Sequence, residues 1–279
     1  MLMAKAYAKI NLVLEVLGEY GQGYHQISAI NQTIDLYDVI RIKVGERINS
    51  TSNIPELLSP GNSMLKAREA LERKLGKALE PVSVRLQKNI PLSSGLGGGS
   101  SDVAALLHLL NEGFHLGLSL SDLAGVASTV SSDAPFFIYG GLARVEGRGE
   151  KVIPLPKAQS LWTVIFLPPK MAEEGKTQRA YAALKDSDFT GGNIVQREVA
   201  KIFRGQDVTP YNVFHHLLPT LYPGIEEYVG KLGDLGFPPV YPCGSGPALF
   251  AIFRDERAAN LAFRKAQDMG LKAYLASAL

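Results

Sequence analysis

The segment Pro91-Leu92-Ser93-Ser94-Gly95-Leu96-Gly97-Gly98-Gly99-Ser100-Ser101-Asp102 runs straight into the apolar stretch Val103 to Leu110. A chain with this run has to fold so that a glycine loop feeds directly into a helix. Glycine lets successive backbone N–H groups turn to one side with no Cβ in the way, and the following helix adds unpaired donors and the positive end of its dipole. An anion-binding loop is therefore predicted, with phosphate as its guest. The plainer alternatives are a flexible linker or a glycine turn needed only for packing, but linkers rarely follow a strand and open a helix. The strand is there: Val82, Val84 and Leu86 alternate with Ser83, Arg85 and Gln87. The loop is not a Walker A motif, because Ser100 and not Lys follows Gly99. A dinucleotide G-x-G-x-x-G counted from Gly95 also fails, since its last position is Ser100. A nucleotide phosphate site of another kind is expected.

The 279 residues, 46% hydrophobic and 20% charged, suffice for one large domain or two ordinary ones, and two are favoured. A net charge of +2 and the lack of a dense Lys/Arg run with interleaved aromatics argue against nucleic-acid binding. Residues 1–17 are apolar, but Lys5, Lys9, Asn11 and Glu15 interrupt them and no small-residue cleavage pattern follows, so this segment is read as structural. The apolar run Leu161 to Leu167 is far too short to cross a bilayer, so a soluble protein without membrane association is expected, and the lone Cys243 fits a reducing, cytoplasmic compartment. The single cysteine, Cys243, forms no internal disulfide, and with no base assignable to it reads as a small packed residue. Oligomeric state, including a homodimer, stays open.

Ile10, Leu12, Leu14 and Val16 alternate with Lys9, Asn11, Val13 and Glu15, which predicts a strand with Lys9 and Asn11 on one face. After the turn Gly21-Gln22-Gly23, a second strand is expected near Ile27 to Leu36, and Ile40, Ile42 and Val44 mark a third, building an antiparallel sheet. Asn62 or Ser63 can cap a helix carrying Met64, Ala67, Leu71 and Leu75. Helices follow from Asp102 and from Ser121-Asp122, then a hairpin from Leu142 to Leu155 around Gly147-Arg148-Gly149. Beyond Pro154-Leu155-Pro156 the pattern restarts. Strands are expected at Trp162 to Leu167, Ala248 to Phe253 and Lys272 to Ala276, with Trp162 in the core. Helices are expected near Gln178 to Leu184, Asn212 to Leu221, Ile225 to Leu235 and Arg257 to Met269. No fixed-period repeat is present. Both halves read as α+β, with a boundary near residue 158 separating domains 1–158 and 159–279.

The glycine loop, the lysine on the first strand and a late glycine turn together resemble the GHMP kinase superfamily of small-molecule kinases. The resemblance runs in order along nearly the whole chain. It is carried by Ala8-Lys9-Ile10-Asn11-Leu12, Gly23-Tyr24-His25, Gly95 to Asp102, Ser132-Asp133-Ala134-Pro135-Phe136-Phe137 and Gly244-Ser245-Gly246-Pro247. Ser93-Ser94, Val103 and Pro242-Cys243 depart from the usual pattern by close substitutions. The fold implied is a two-domain α+β GHMP kinase fold. Its N-terminal domain has a mixed or antiparallel sheet with helices, ribosomal protein S5 domain 2-like, and its C-terminal domain is a ferredoxin-like α/β sandwich. The activity implied is ATP- and Mg²⁺-dependent phosphorylation of the 2-hydroxyl of 4-diphosphocytidyl-2-C-methyl-D-erythritol, in the non-mevalonate route to isoprenoid precursors. Two alternatives stay open: the same fold with a mevalonate-, sugar- or homoserine-type acceptor, and a non-catalytic nucleotide-binding protein.

By the same resemblance, Asp133 is the catalytic aspartate and Lys9 its partner, whereas the residues alone allow a turn or cap aspartate and a snorkelling surface lysine. Pro91, Gly95, Leu96, Gly97, Gly98, Gly99, Ser100 and Ser101 hold ATP, with the two serines able to donate hydroxyls or help ligate Mg²⁺; no metal carboxylate is named. Asn62 and Lys88 are implied on the adenosine side, against a helix cap and an exposed strand lysine. Tyr24 and His25 are implied to take the cytosine, with Tyr181 on its second face, although a tyrosine at helical spacing is also ordinary core. Asn11 is implied to hydrogen-bond the substrate, and Gly244 and Ser245 to approach its phosphate end, against a structural turn.

Overall fold

Two very long strands, β1 (Leu2–Gly21) and β2 (Tyr24–Val44), organise the first half of the chain. The computed structural model describes residues 1–21, 23–45, 51–54, 62–157, 161–169 and 175–279. The two strands expected near Ile27 to Leu36 and Ile40 to Val44 are one. Pairing passes from Tyr7 opposite Tyr37 to Ala8 opposite Ile34, so residues 35 and 36 of β2 are extra and their broken alternation is a bulge, not a turn.

β2 is paired along both edges. β1 runs antiparallel along one; the other is shared by β4 (Val82–Gln87), opposite Val39 to Val44, and β5 (Leu142–Gly147), opposite Ile27 to Gln32. β3 (Thr51–Ser52) extends β4, and β6 (Lys151–Pro154) completes the expected hairpin with β5. Helices α1 (Ser63–Leu75), α2 (Gly98–Gly113), α3 (Leu120–Ser128) and α4 (Ala134–Tyr139) cover the sheet, burying Ile40, Ile42, Leu71, Val103, Leu107 and Leu110 in one core. α2 begins at Gly98 rather than Asp102, so the last glycines of the loop are already helical. α3 starts from a capping box between Ser119 and Asp122.

The second half builds a four-stranded antiparallel sheet from β7 (Trp162–Phe166), β9 (Val240–Pro242), β10 (Leu249–Phe253) and β11 (Ala273–Ser277), in the order β11-β7-β10-β9. Trp162, at the start of β7, is half-buried rather than core. α8 (Ile225–Asp234) and α9 (Glu256–Asp268) pack against this sheet. The two halves share a core in which Ile165, Val195 and Phe250 join Ala8, Ile10 and Ile30. The boundary near residue 158 lies outside the described residues.

Three short elements bridge to the site: α5 (Lys176–Ala182), β8 (Tyr211–Asn212) and α7 (Leu218–Leu221). The helix expected over Asn212 to Leu221 is therefore mostly something else. Asn212 lies in β8, parallel to β1 beside Leu14, and its amide donates to the carbonyls of Pro242 (3.0 Å) and Gly244 (2.8 Å). A helix not foreseen, α6 (Asn193–Phe203), starts at Gly192 without a side-chain cap of its own. Its cap comes from Glu15 of β1, which is fully buried and accepts from Val195 N (2.6 Å), Ile194 N (3.3 Å) and Thr190 Oγ1 (2.7 Å). The carboxylate answers both the orphan amides and the positive end of the helix. Glu15→Ala should thus cost about 2–4 kcal/mol, because three donors lose a charged acceptor in a buried place; a urea-unfolding loss under about 0.5 kcal/mol would show that α6 needs no such cap.

Candidate active site

Strand periodicity puts Lys9 and Asn11 on the same face of β1. Both are buried; Lys9 Nζ donates to Asn11 Oδ1 (2.9 Å), and Asn11 Nδ2 donates to Asn31 Oδ1 (2.7 Å) directly across on β2. Lys9 is thus not a snorkelling surface residue. Its Nζ lies 3.4 Å from Asp133 Oδ2, and the Asp133 side chain is 40% exposed. Asp133 occupies the N-cap position of α4, yet its side chain makes no capping hydrogen bond.

The glycine loop is fixed from both sides. Gly95 has φ +92°, and a Cβ there would sit 1.8 Å from the carbonyl oxygen of Cys243. Gly97, at φ +74°, leaves no room either, since its Cβ would meet the Phe137 ring at 2.6 Å. Leu96 anchors the loop, with its side chain in the core and its carbonyl accepting from Lys9 N (2.9 Å). Gly98, Gly99 and Ser100 form the first turn of α2, where amides have no intrahelical acceptor, and the space beside Gly99 is open. Ser101 is buried and its amide already donates to Gly97 O (2.9 Å). The Ser100 hydroxyl is 2.7 Å from that of Ser131.

Opposite the loop, the turn Gly244-Ser245-Gly246 is held by Asn212 and by Tyr222 Oη donating to Ser245 O (2.8 Å). The Cys243 thiol is fully buried and pushed up to about 12 by that burial, against the pull of Lys9 and Lys176, so it is a packed residue and not a nucleophile. At the far end of the cleft the His25 ring packs 5.1 Å from that of Tyr181, which in turn lies 5.0 Å from Phe214. Tyr181 is thereby both a core-packed residue and a wall of the cleft, and burial, with the Asp133 charge adding to it, pushes its hydroxyl upward. Tyr24 is 48% exposed, with the Arg148 guanidinium 5.1 Å over its ring. His25 Nδ1 is buried with no hydrogen-bond partner among the described residues.

One cleft of about 630 Å³ gathers Lys9, Asn11, Tyr24, His25, Gly95, Ser100, Asp133, Tyr181, Gly244 and Ser245. Asn31, Ser131, Arg148 and Thr177 line it too and were not foreseen. Asn31 is recognisable only from its register opposite Asn11, and Arg148 had read as a hairpin-turn residue. Lys88 and Pro91 face a second cavity of about 730 Å³ on the other side of the loop, with Ser94, Tyr228 and Lys231. Asn62 caps α1, accepting from Leu65 N (3.0 Å).

Lys88 is not an exposed strand lysine. It lies just past β4, buried, with its ammonium 2.5 Å from Asp38 Oδ2 and 2.7 Å from Asp102 Oδ2. Asp38 also accepts from Asn89 N and Ile90 N, so the cluster clamps the entry to the glycine loop onto the start of α2. One lysine serves two carboxylates, and Asp102 Oδ1 finds no partner among the described residues. Burial pushes the Asp102 carboxyl up to about 7, with Lys88 opposing and the Asp38 charge adding to the rise.

A glycine loop opening a helix, a lysine–aspartate pair at its mouth and a glycine turn from a second sheet define a GHMP-type small-molecule kinase. The model for the GHMP kinases N terminal domain matches residues 62–141, and that for the GHMP kinases C terminal domain matches residues 201–271. A curated relative from Dehalococcoides mccartyi, named 4-diphosphocytidyl-2-C-methyl-D-erythritol kinase, is 33% identical over 281 residues, covering 100% of this chain and 99% of that protein. A relative of the same name from Caldicellulosiruptor bescii is 37% identical over 89% of this chain and 88% of its own length. A crystal structure of 4-(cytidine 5'-diphospho)-2C-methyl-D-erythritol kinase superposes with a TM-score of 0.81 at 27% identity over 99% of both chains. The chain belongs to the 4-diphosphocytidyl-2-C-methyl-D-erythritol kinase family.

The Asp102 carboxyl has a pH signature. Its folded value of about 7 lies above the ordinary 3.8, so the native state holds the proton more tightly, and the contribution to stability is full below about pH 4 and lost as pH rises through 7. Asp102→Asn should therefore raise Tm relative to the parent at pH 8.5 and change it little at pH 4, as differential scanning calorimetry will report; an equal shift at both pH values would rule out this linkage.

Proposed function

We propose that this protein transfers the terminal phosphoryl group of ATP to the 2-hydroxyl of 4-diphosphocytidyl-2-C-methyl-D-erythritol, giving the 2-phosphate and ADP for the non-mevalonate route to isoprenoid precursors. The observation that carries the mechanism is the Lys9–Asp133 pair: a buried ammonium 3.4 Å from a carboxylate that caps nothing and is open to the cleft. Asp133 Oδ2 accepts the proton of the acceptor hydroxyl, while Lys9 pairs with that carboxylate and steadies the charge that gathers on the transferring oxygens. Asn11, fixed by Asn31, holds Lys9 in place and leaves the acceptor's oxygens within its reach. The amides of Gly98, Gly99 and Ser100 receive phosphate oxygens at the start of α2.

Mg²⁺ suits this donor set. Among the described residues no cluster of three or more His, Cys, Asp or Glu is present, and Mg²⁺ bound to phosphates would need few protein oxygens, such as the Ser100 hydroxyl that lines the cleft. When bound, the metal would neutralise phosphate charge. The cytosine would lie at the aromatic end, stacked on Tyr24 and Tyr181, with His25 beside them to read its polar edge. Among the described residues no helix is long and apolar enough to cross a membrane.

The test is ADP release by the purified protein with ATP, Mg²⁺ and 4-diphosphocytidyl-2-C-methyl-D-erythritol, beside mevalonate, galactose and homoserine as acceptors. Turnover with the cytidine compound alone is expected, and turnover only with another acceptor would overturn the reading. Asp133→Asn should lower kcat by about 10²–10⁴ with ATP affinity nearly unchanged. Tyr24→Ala should raise the KM for the cytidine acceptor about tenfold or more and leave that for ATP alone; equal effects on both substrates would remove the cytosine from this end.

A further inference from the structure

Lys176, the first residue of α5, has an ammonium placed where few lysines are found. The residue is 8% exposed, and its Nζ donates to the carbonyl of Gly246. Among the described residues no carboxylate pairs with it. An ammonium carries three donors, and a buried one satisfied by a single neutral carbonyl is costly. Lys88 in the same molecule shows the usual remedy, with two carboxylates on one ammonium.

The surroundings say what could complete it. Gly246 belongs to the glycine turn that lines the cleft through Gly244 and Ser245, and Thr177, next in sequence, lines the cleft as well. Gly95 of the phosphate loop presses on the same spot, since a Cβ there would come within 3.1 Å of Gly246 O. The ionisable groups that bear on Lys176 are the Cys243 thiol and the Lys9 ammonium. Lys9 thus stands against the glycine loop at Gly97 and Lys176 against the glycine turn at Gly246, and among the described residues the carboxylate paired with either of them is Asp133, on Lys9. Asp133 offsets one of the two ammoniums, and the surplus positive charge that is left favours an anion such as phosphate.

We propose that Lys176 is a second phosphate cation of this site, held behind the Gly244–Gly246 turn to meet the terminal phosphate of the bound nucleotide. The role rests on the kinase reading but not on which acceptor is used. It predicts a proton. Burial, with Lys9 pushing the same way and Cys243 opposing, brings Lys176 down from 10.5 to about 8. A phosphate dianion beside it favours the charged form, so the nucleotide binds with proton uptake near pH 8, and affinity falls as pH rises beyond that value.

The experiment is calorimetric titration of the full chain with ATP or ADP, with Mg²⁺ and no acceptor, at pH 8 in two buffers of different ionisation heat. For the parent, ATP is expected to take up about half a proton and ADP far less. Lys176→Met should abolish that uptake and weaken ATP about tenfold while ADP affinity stays within about twofold. Lys176→Arg should keep ATP affinity within about threefold yet lose the uptake, because a guanidinium stays charged at pH 8. Lys176→Met removes a buried charge and should not lower Tm at pH 7, which separates loss of binding from loss of fold. Unchanged proton uptake in Lys176→Met, or equal weakening of ATP and ADP, would overturn the proposal. An enzyme inactive on the cytidine acceptor that still shows the lysine-dependent uptake would instead refute the acceptor and keep Lys176.

Discussion

A main-chain contact between the halves of this molecule governs the rest: the Cα of Gly95 lies against the carbonyl of Cys243 with no space for a single carbon between them. Backbone meets backbone there, so the glycine loop of the first half and the glycine turn of the second sheet are set at one fixed separation. Each partner is secured from behind. Ala248 N donates to Ser94 O (3.1 Å), Asn212 and Tyr222 hold the turn, and Asp38 with Lys88 pins the chain entering the loop. The cleft is what remains open on one side of that contact, and the cavity lined by Lys88 and Pro91 is what remains on the other.

Three buried lysines surround this contact, and they differ in the negative charge supplied to each. Lys88 has two carboxylates, and the excess shows in Asp102, whose carboxyl is pushed upward. Lys9 has one, half-exposed. Lys176 has a carbonyl only. The balance thus runs from negative beneath α2 to positive at the cleft, where the helix dipole adds to it. Net charge is only +2, so this polarity is a local arrangement and not a field of the whole molecule.

What the sequence displayed and what it hid divide along the reach of the interactions. Local period sufficed for β4, β7, β10, β11, α1, α3, α8 and α9, all of which fall where alternation or helical spacing predicts them. The double length of β2 was hidden because a two-residue bulge opposite Tyr7–Ala8 imitates a turn in a single strand. α6 was hidden because its cap is donated by Glu15, nearly two hundred residues earlier. Lys88 looked like a surface lysine because its partners, Asp38 and Asp102, are remote in sequence. The cleft itself was legible residue by residue for Lys9, Asn11, Tyr24, His25, Asp133 and Tyr181, yet only through the resemblance to a family. Strand alternation alone gave Lys9 and Asn11 a common face but no reason to be buried.

Asp133 shows why local chemistry alone leaves a site ambiguous. Ser131-Ser132-Asp133 before Ala134-Pro135 is good capping sequence, and the residue does stand at the N-cap of α4. Its carboxylate does not cap the helix, however. Ala134 N already donates to Ser131 O (3.2 Å), and Pro135 has no N–H to satisfy. Of the two positions a capping side chain serves, Pro135 thus offers no donor, and the Asp133 carboxylate pairs with Lys9 instead. The same short helix sets Phe137 beneath Gly97, so the glycine loop and the carboxylate beside Lys9 are positioned by one turn of chain.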